Sequence, residues 1–232
     1  RRIGPSAPKQ RGVLALLLAS ANTVVPTETL MEELWEGRPP ASAQTTLQTY
    51  IYQLRKLLAG VGPGTGDVPR LLTRYGGYLL AVAEDDIDAV EFERLVGVAA
   101  ERLRAGTAEA AFALLRQALA LWRGPVLADV AAGPRLTAYA ARLEELRVHA
   151  VKLGIEAQLR LGRHHAVIGE LKELTAVHPL DEWLHLRLME ALSRVGRRHE
   201  ALEVYRRLRR ALQEELGLEP GANFLGGVNG RL

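Results

Sequence analysis

The chain contains no cysteine. Disulfides, thiolate zinc sites and cysteine nucleophiles are therefore excluded, and a reducing cytoplasm is the expected compartment. No apolar run approaches the ~18 residues of a membrane-spanning helix, and VLALLLA from Val13 is far too short. No secretory leader pattern opens the sequence, so no membrane partner is expected. The glycine-rich GVGPGTGD (60–67) lacks the Gly-Lys-Ser/Thr ending of a phosphate-binding loop and reads as a connector. All six histidines lie after residue 148 and form no i, i+4 pair with a carboxylate partner, so they read as surface or capping residues. Neither a Ser-His-Asp set nor paired carboxylates on rigid elements can be picked out. The expectation is a protein that is not an enzyme, with no cofactor and no metal.

What is present describes a globular protein with room for two cores. The chain has 232 residues, 48% hydrophobic and 25% charged. Its formal charge of +3 is uneven: residues 1–83 carry 9 Lys/Arg against 5 Asp/Glu, and the remainder carries 21 against 22. The basic excess belongs to the N-terminal third, a modest indication of a polyanionic partner.

The pattern changes at AEDDID (Ala83–Asp88), which suggests a first domain over 1–83 and a second over 84–232. In the first, helical spacing predicts a helix over Lys9–Ala19, with Val13, Leu14, Leu17 and Leu18 inward. A second follows Thr27 as its N-cap, burying Leu30, Leu34 and Trp35 and stopping at Gly37. A third follows Ser42, and RLLTRYGGYLLAV predicts a tight hairpin turning at Gly76-Gly77. Helix, helix, helix, hairpin is the order of a winged helix-turn-helix.

The second domain reads as helices over Ala89–Ala105, Ala108–Trp122, Pro134–Leu161, His164–His178, Asp181–Val195 and Arg198–Leu216. AGTAEAAFALL, LGRHHAVIGEL and VGRRHEALEVY resemble one another, and the glycines of the last two, Gly162 and Gly196, lie 34 residues apart. That is the period of tetratricopeptide (TPR) helical hairpins, with alanines such as Ala201 at the close approaches. The prediction is a mainly α protein, a winged helix-turn-helix followed by a TPR-like repeat. Trp35, Trp122 and Trp183 read as core anchors, and RRLRR (Arg206–Arg210) as a solvated face.

The segment TTLQTYIYQLRKLL (Thr45–Leu58) carries the functional reading. Leu47, Ile51, Leu54 and Leu58 form one stripe at ~100° per residue. Thr45, Thr49, Tyr52, Gln53 and Lys56 lie opposite, flanked by Thr46, Gln48, Tyr50 and Arg55. A merely solvated face usually carries paired Glu and Lys, whereas this helix has no acidic residue. Arginine can donate to guanine, glutamine can pair with adenine, and a threonine methyl can meet a thymine methyl. Arg74 near the hairpin tip would place a cation beside the helix, as a wing does.

These strings resemble the Streptomyces antibiotic regulatory protein family of transcriptional activators. The resemblance rests on PKQR (Pro8–Arg11), L-W-x-x-x-P-P, T-L-Q-T-Y-I-x-x-L-R-K-L-L and the Gly-Tyr hairpin. It continues through VEFERL, ALALWRGPVL, RLEELRVHA and LGLEPG, which resemble the bacterial transcriptional activation domain. It implies a winged helix of the response-regulator output type, binding direct repeats in double-stranded promoter DNA as a homodimer or pair. It further implies contact with RNA polymerase and its sigma factor, and control of antibiotic or other secondary-metabolite genes. The implied DNA-binding residues are Thr45, Thr46, Gln48, Thr49, Tyr52, Gln53, Arg55 and Lys56, with Arg74 and Tyr75 on the hairpin. Lys9 and Arg11 at the first helix would touch phosphate. The family's strand-rich opening is not found ahead of the first helix, and ANFLGGVNGRL stands where a further amphipathic helix often follows. A TPR-like interaction adaptor or ligand-sensing module is the alternative, distinguished by the acid-free helix face.

Overall fold

The structure is a computed structural model that describes residues 4–60 and 68–221. The 61–67 part of the connector and the segment after Gly221 lie outside the described residues. The chain divides into two compact units, residues 1–98 with 114–151 and residues 99–113 with 152–232.

In the first unit, α1 (Pro8–Ala19), β1 (Val24–Pro26), α2 (Thr27–Trp35) and α3 (Ala43–Ala59) precede the hairpin of β2 (Arg70–Arg74) and β3 (Gly77–Ala81). The strands form an antiparallel sheet in the order β1-β3-β2. This is a winged helix-turn-helix. β1 is not legible in the sequence, because three residues are too few for a period-2 pattern. Asn22 extends its pairing: in a left-handed conformation (φ 61°), its amide donates to the Val82 carbonyl at 2.9 Å and accepts from the Val82 N–H at 3.1 Å.

Val13, Leu16 and Leu17 of α1, Val25, Leu30, Leu47, Ile51, Leu54 and Leu58, Leu71 and Leu80 share one core. The α3 stripe is buried as its spacing predicted. On α1 the inward residues are Val13, Leu16 and Leu17, with Leu14 partly covered and Leu18 exposed. Thr27 is the first helical residue rather than the cap, and its N–H donates to the Gly76 carbonyl at 2.9 Å. Ser42 precedes α3 without a side-chain capping bond, and the left-handed end of α2 begins at Glu36, one residue before Gly37. The hairpin turns at Tyr75-Gly76; Gly77 already pairs with Arg74.

Of α4 (Asp88–Arg104), α5 (Ala108–Ala120) and α6 (Pro134–Arg160), each contributes residues to both units. In the first unit, Leu136 of α6 is buried in the winged-helix core. Glu33 of α2, 4% exposed, accepts from the backbone N–H groups of Arg135 at 2.9 Å and Leu136 at 3.1 Å. The carboxylate thus satisfies two of the free donors at the start of α6. A charged residue at that position reads as surface from sequence, and Leu34 and Trp35, expected inward, are only half-buried.

In the second unit, α7 (His164–Val177), α8 (Glu182–Arg194) and α9 (Arg198–Leu216) pack in succession. Gly106, Gly162 and Gly196 all sit at left-handed φ of 72–81°. After each, the next N–H reaches back to a helix carbonyl: Thr107 to Arg102, Arg163 to Gln158, Arg197 to Leu192. This is one helix-ending device used three times. Five residues beyond each glycine, Ala111, Val167 and Ala201 are fully buried. In the middle segment valine takes that slot and Ala166 is exposed, so the alanine expected at the close approach lies one position off.

The three tryptophans are half-buried rather than core anchors. Each lies under a cation: Lys9 is 4.7 Å from the Trp35 ring, Arg147 4.7 Å from Trp122, and Lys152 and Arg187 5.4 and 5.5 Å from Trp183. An indole has an electron-rich face that a basic stem can cover. His185 departs from the surface reading: it is buried in α8, its Nδ1 2.9 Å from the Asp181 carbonyl. RRLRR behaves as expected, with four exposed arginines around a buried Leu208.

Candidate nucleic-acid interface

Burying Leu47, Ile51, Leu54 and Leu58 turns the opposite side of α3 outward. Thr45, Gln48, Thr49, Tyr52, Gln53, Arg55 and Lys56 are all exposed, and Thr46 is half-buried. Tyr52 is 58% exposed, and Lys56 Nζ lies 4.9 Å from its ring centroid. The Thr49 hydroxyl donates back to the Thr45 carbonyl at 3.0 Å, which holds it close to the helix. At the hairpin tip Tyr75 is wholly exposed; Arg74 is exposed beside it, and its guanidinium donates to the adjacent Thr73 carbonyl at 3.2 Å.

No carboxylate occurs in α1, α3 or the three strands. Over residues 4–60 the acids are Glu28, Glu32, Glu33 and Glu36, on α2 and its cap, and Glu33 is occupied by α6. The potential over α3 and the hairpin is set by cations and neutral hydrogen-bonding groups, as a surface for a polyanion requires.

Besides Thr49 and Arg74, four predicted residues have donors or acceptors engaged with other elements or loops. Lys9 Nζ donates to the Leu34 carbonyl at 2.7 Å, besides covering Trp35. Arg11 is half-buried, donating to the Ser6 carbonyl at 3.1 Å with its Nε 3.9 Å from Asp129. Gln53 accepts from the side-chain amide of Gln10. Arg55 donates through Nε to the Leu71 carbonyl at 2.9 Å and through Nη2 to the Thr73 hydroxyl at 2.7 Å. Sequence spacing shows that a donor is present but not where it is already used. Conversely, Gln44, one turn before Gln48, shares the exposed face, and Arg38 and Arg70 are exposed in the loop before α3 and at the start of β2. A helical wheel begun at Ser42 would have included Gln44.

Residues 5–80 match the family of the transcriptional regulatory protein, C terminal, and residues 87–225 match the bacterial transcriptional activator domain. Regulatory protein DnrI of Streptomyces peucetius is 46% identical over 225 residues, covering 96% of this chain and 83% of DnrI. The chain belongs to the Streptomyces antibiotic regulatory protein family of transcriptional activators. Regulatory protein AfsR of Streptomyces coelicolor is 38% identical over 94% of the chain, which spans 21% of AfsR. Among solved structures, Mycobacterium tuberculosis EmbR in complex with a low-affinity phosphopeptide superimposes with a TM-score of 0.89 at 35% identity, over 97% of this chain and 59% of that one. The matched families and relatives of this activator are transcriptional regulators, not enzymes. No helix among its described residues is long and apolar enough to cross a membrane.

Proposed function

We propose that this regulator binds double-stranded promoter DNA with α3 in the major groove and the β2–β3 hairpin against the neighbouring backbone. The observation that carries the reading is the carboxylate-free exposed side of α3, backed by a leucine and isoleucine underside that fixes which side faces out. Thr45, Gln48, Thr49 and Tyr52 supply groups for base edges and the sugar-phosphate chain, with Thr46 at the margin. Lys56, Arg74 and Tyr75 supply the backbone grip. Lys9, Arg11, Gln53 and Arg55 act chiefly by holding the elements that carry these residues.

Residues 1–83 form the DNA-reading domain in this proposal, and residues 84–232 the platform for pairing on direct repeats and for contact with RNA polymerase and its sigma factor. The regulated genes are those of antibiotic or other secondary-metabolite biosynthesis. The family and its regulators support this reading, which extends beyond what they show.

Salt-dependent binding of the whole chain to duplex DNA tests it. Each neutralised phosphate should contribute about −0.9 to the slope of log K against log salt, and Lys56→Ala should reduce that slope by about one such step. Gln48→Ala should weaken operator binding by roughly 1–3 kcal/mol and relax sequence preference at one position. A flat salt profile would favour the adaptor reading.

A further inference from the structure

β2 is an edge strand, hydrogen-bonded to β3 on one side alone. Its pairs with β3 run from Arg70–Ala81 to Arg74–Gly77. In such a ladder alternate residues turn their N–H and C=O groups away from the partner strand. Leu71 and Thr73 alternate with Arg70, Leu72 and Arg74 along the strand, and both are addressed by the guanidinium of Arg55. Nε takes the Leu71 carbonyl at 2.9 Å and Nη2 takes the Thr73 hydroxyl at 2.7 Å. The second bond lands one residue before Arg74 and two before Tyr75, the hairpin's exposed pair.

We infer that Arg55 is a positioning residue for DNA binding: a planar strut that fixes the wing tip to α3, rather than a phosphate contact in its own right. This rests on the DNA-binding reading proposed above. The wing is two strands and a two-residue turn, and among the described residues no other side-chain hydrogen bond ties its exposed tip to α3. Without the strut, Arg74 and Tyr75 would lose conformational freedom only on binding, and affinity would fall by that ordering. Arginine is required for geometric reasons. Its two donors lie in one rigid plane and reach two acceptors two residues apart on a strand, whereas a lysine ammonium is a point donor on a flexible stem.

The test is a double-mutant cycle on the whole chain, read by affinity for duplex DNA of arbitrary sequence and by its salt slope. Arg55→Lys keeps the charge and removes the fork; Arg74→Ala removes the cation at the wing's tip. If Arg55 acts through the wing, each single variant loses roughly tenfold in affinity and about 0.9 in salt slope. The double variant is then no weaker than the worse single variant. Thr73→Val, which deletes one acceptor while keeping side-chain shape, should weaken binding in the same direction at unchanged melting temperature. It serves also if Arg55→Lys does not fold.

Parent-like affinity and slope in Arg55→Lys overturns the strut, as does multiplication of the two single losses. An inert Arg74→Ala in a chain that binds also overturns it, since the tip cation that the strut is inferred to position then makes no contact. Failure of the parent chain to bind duplex DNA, or a flat salt profile, sinks the DNA reading itself and is distinguishable from all of these.

Discussion

Gly77 sits where β3 pairs with β1, opposite Pro26. A Cβ there would lie 2.2 Å from the Val25 carbonyl oxygen and 3.0 Å from Pro26 Cα, both backbone atoms that cannot step aside without parting the strands. Gly76 is different: nothing is near it, and it is needed for its φ of +75° in the turn. Gly77→Ala should therefore destabilise the winged helix by about 2 kcal/mol or more, by overpacking, with thermal melting as the measure. His185 supplies a second prediction on this scale. Burial holds its imidazole below the ordinary value of 6.5, although the Asp181 carbonyl and carboxylate pull the other way. The unfolded chain then takes up the proton more readily, so stability is full above about 6.5 and lost as pH falls toward the lowered folded value. Melting followed across that window should show the loss, and His185→Gln should flatten it. Glu200 acts in a lower window. Hydrogen bonds from Arg197 and Lys172 hold its carboxyl at about 2, so its contribution persists down to its ordinary value of 4.5 and is lost below.

At the level of elements, helix ends show where local reading succeeds. The left-handed glycines before α5, α7 and α9 are visible in the sequence because a helix stop needs φ > 0 and glycine supplies it locally. Asp181 is legible for the same reason, its carboxylate accepting from the Leu184 N–H at 3.2 Å, three residues on. The cap of α6 is not legible, because Glu33 lies 102 residues from the Arg135 N–H it accepts. Glu33→Ala would strand two N–H groups in a buried place and should cost roughly 2–4 kcal/mol. Glu33→Gln retains one acceptor but brings an NH₂ against the second N–H, and should fall between. Differential melting of the two variants measures this, and exchange of the Arg135 and Leu136 amides locates it. The α3 face was legible as a composition of residues; its working donors were not, since Arg55 and Gln53 are committed to β2 and α1 by contacts 18 and 43 residues away.

For the whole molecule, the winged-helix core extends beyond the segment that its family match covers. Leu136 is fully buried in it, with Leu127 and Val130 packed alongside, although the match ends at residue 80. Leu136→Ala should cost about 2–5 kcal/mol, and a chain ended after Ala83 should melt lower and bind hydrophobic dye more than the winged helix of the full chain. Retention of parent stability by the shortened chain would show that α6 contributes nothing to that core.

The sequence by itself determined the helices and the hairpin, the glycine stops before α5, α7 and α9, and the carboxylate-free side of α3. These depend on the period of apolar residues, on backbone rules at single positions and on composition, all expressed within a few residues. Tertiary structure alone decided that α6 completes the first core, that Glu33 is buried and that Arg55 reaches the wing. Each joins atoms whose residues are far apart in the chain, and no local pattern encodes which distant donor will meet which acceptor.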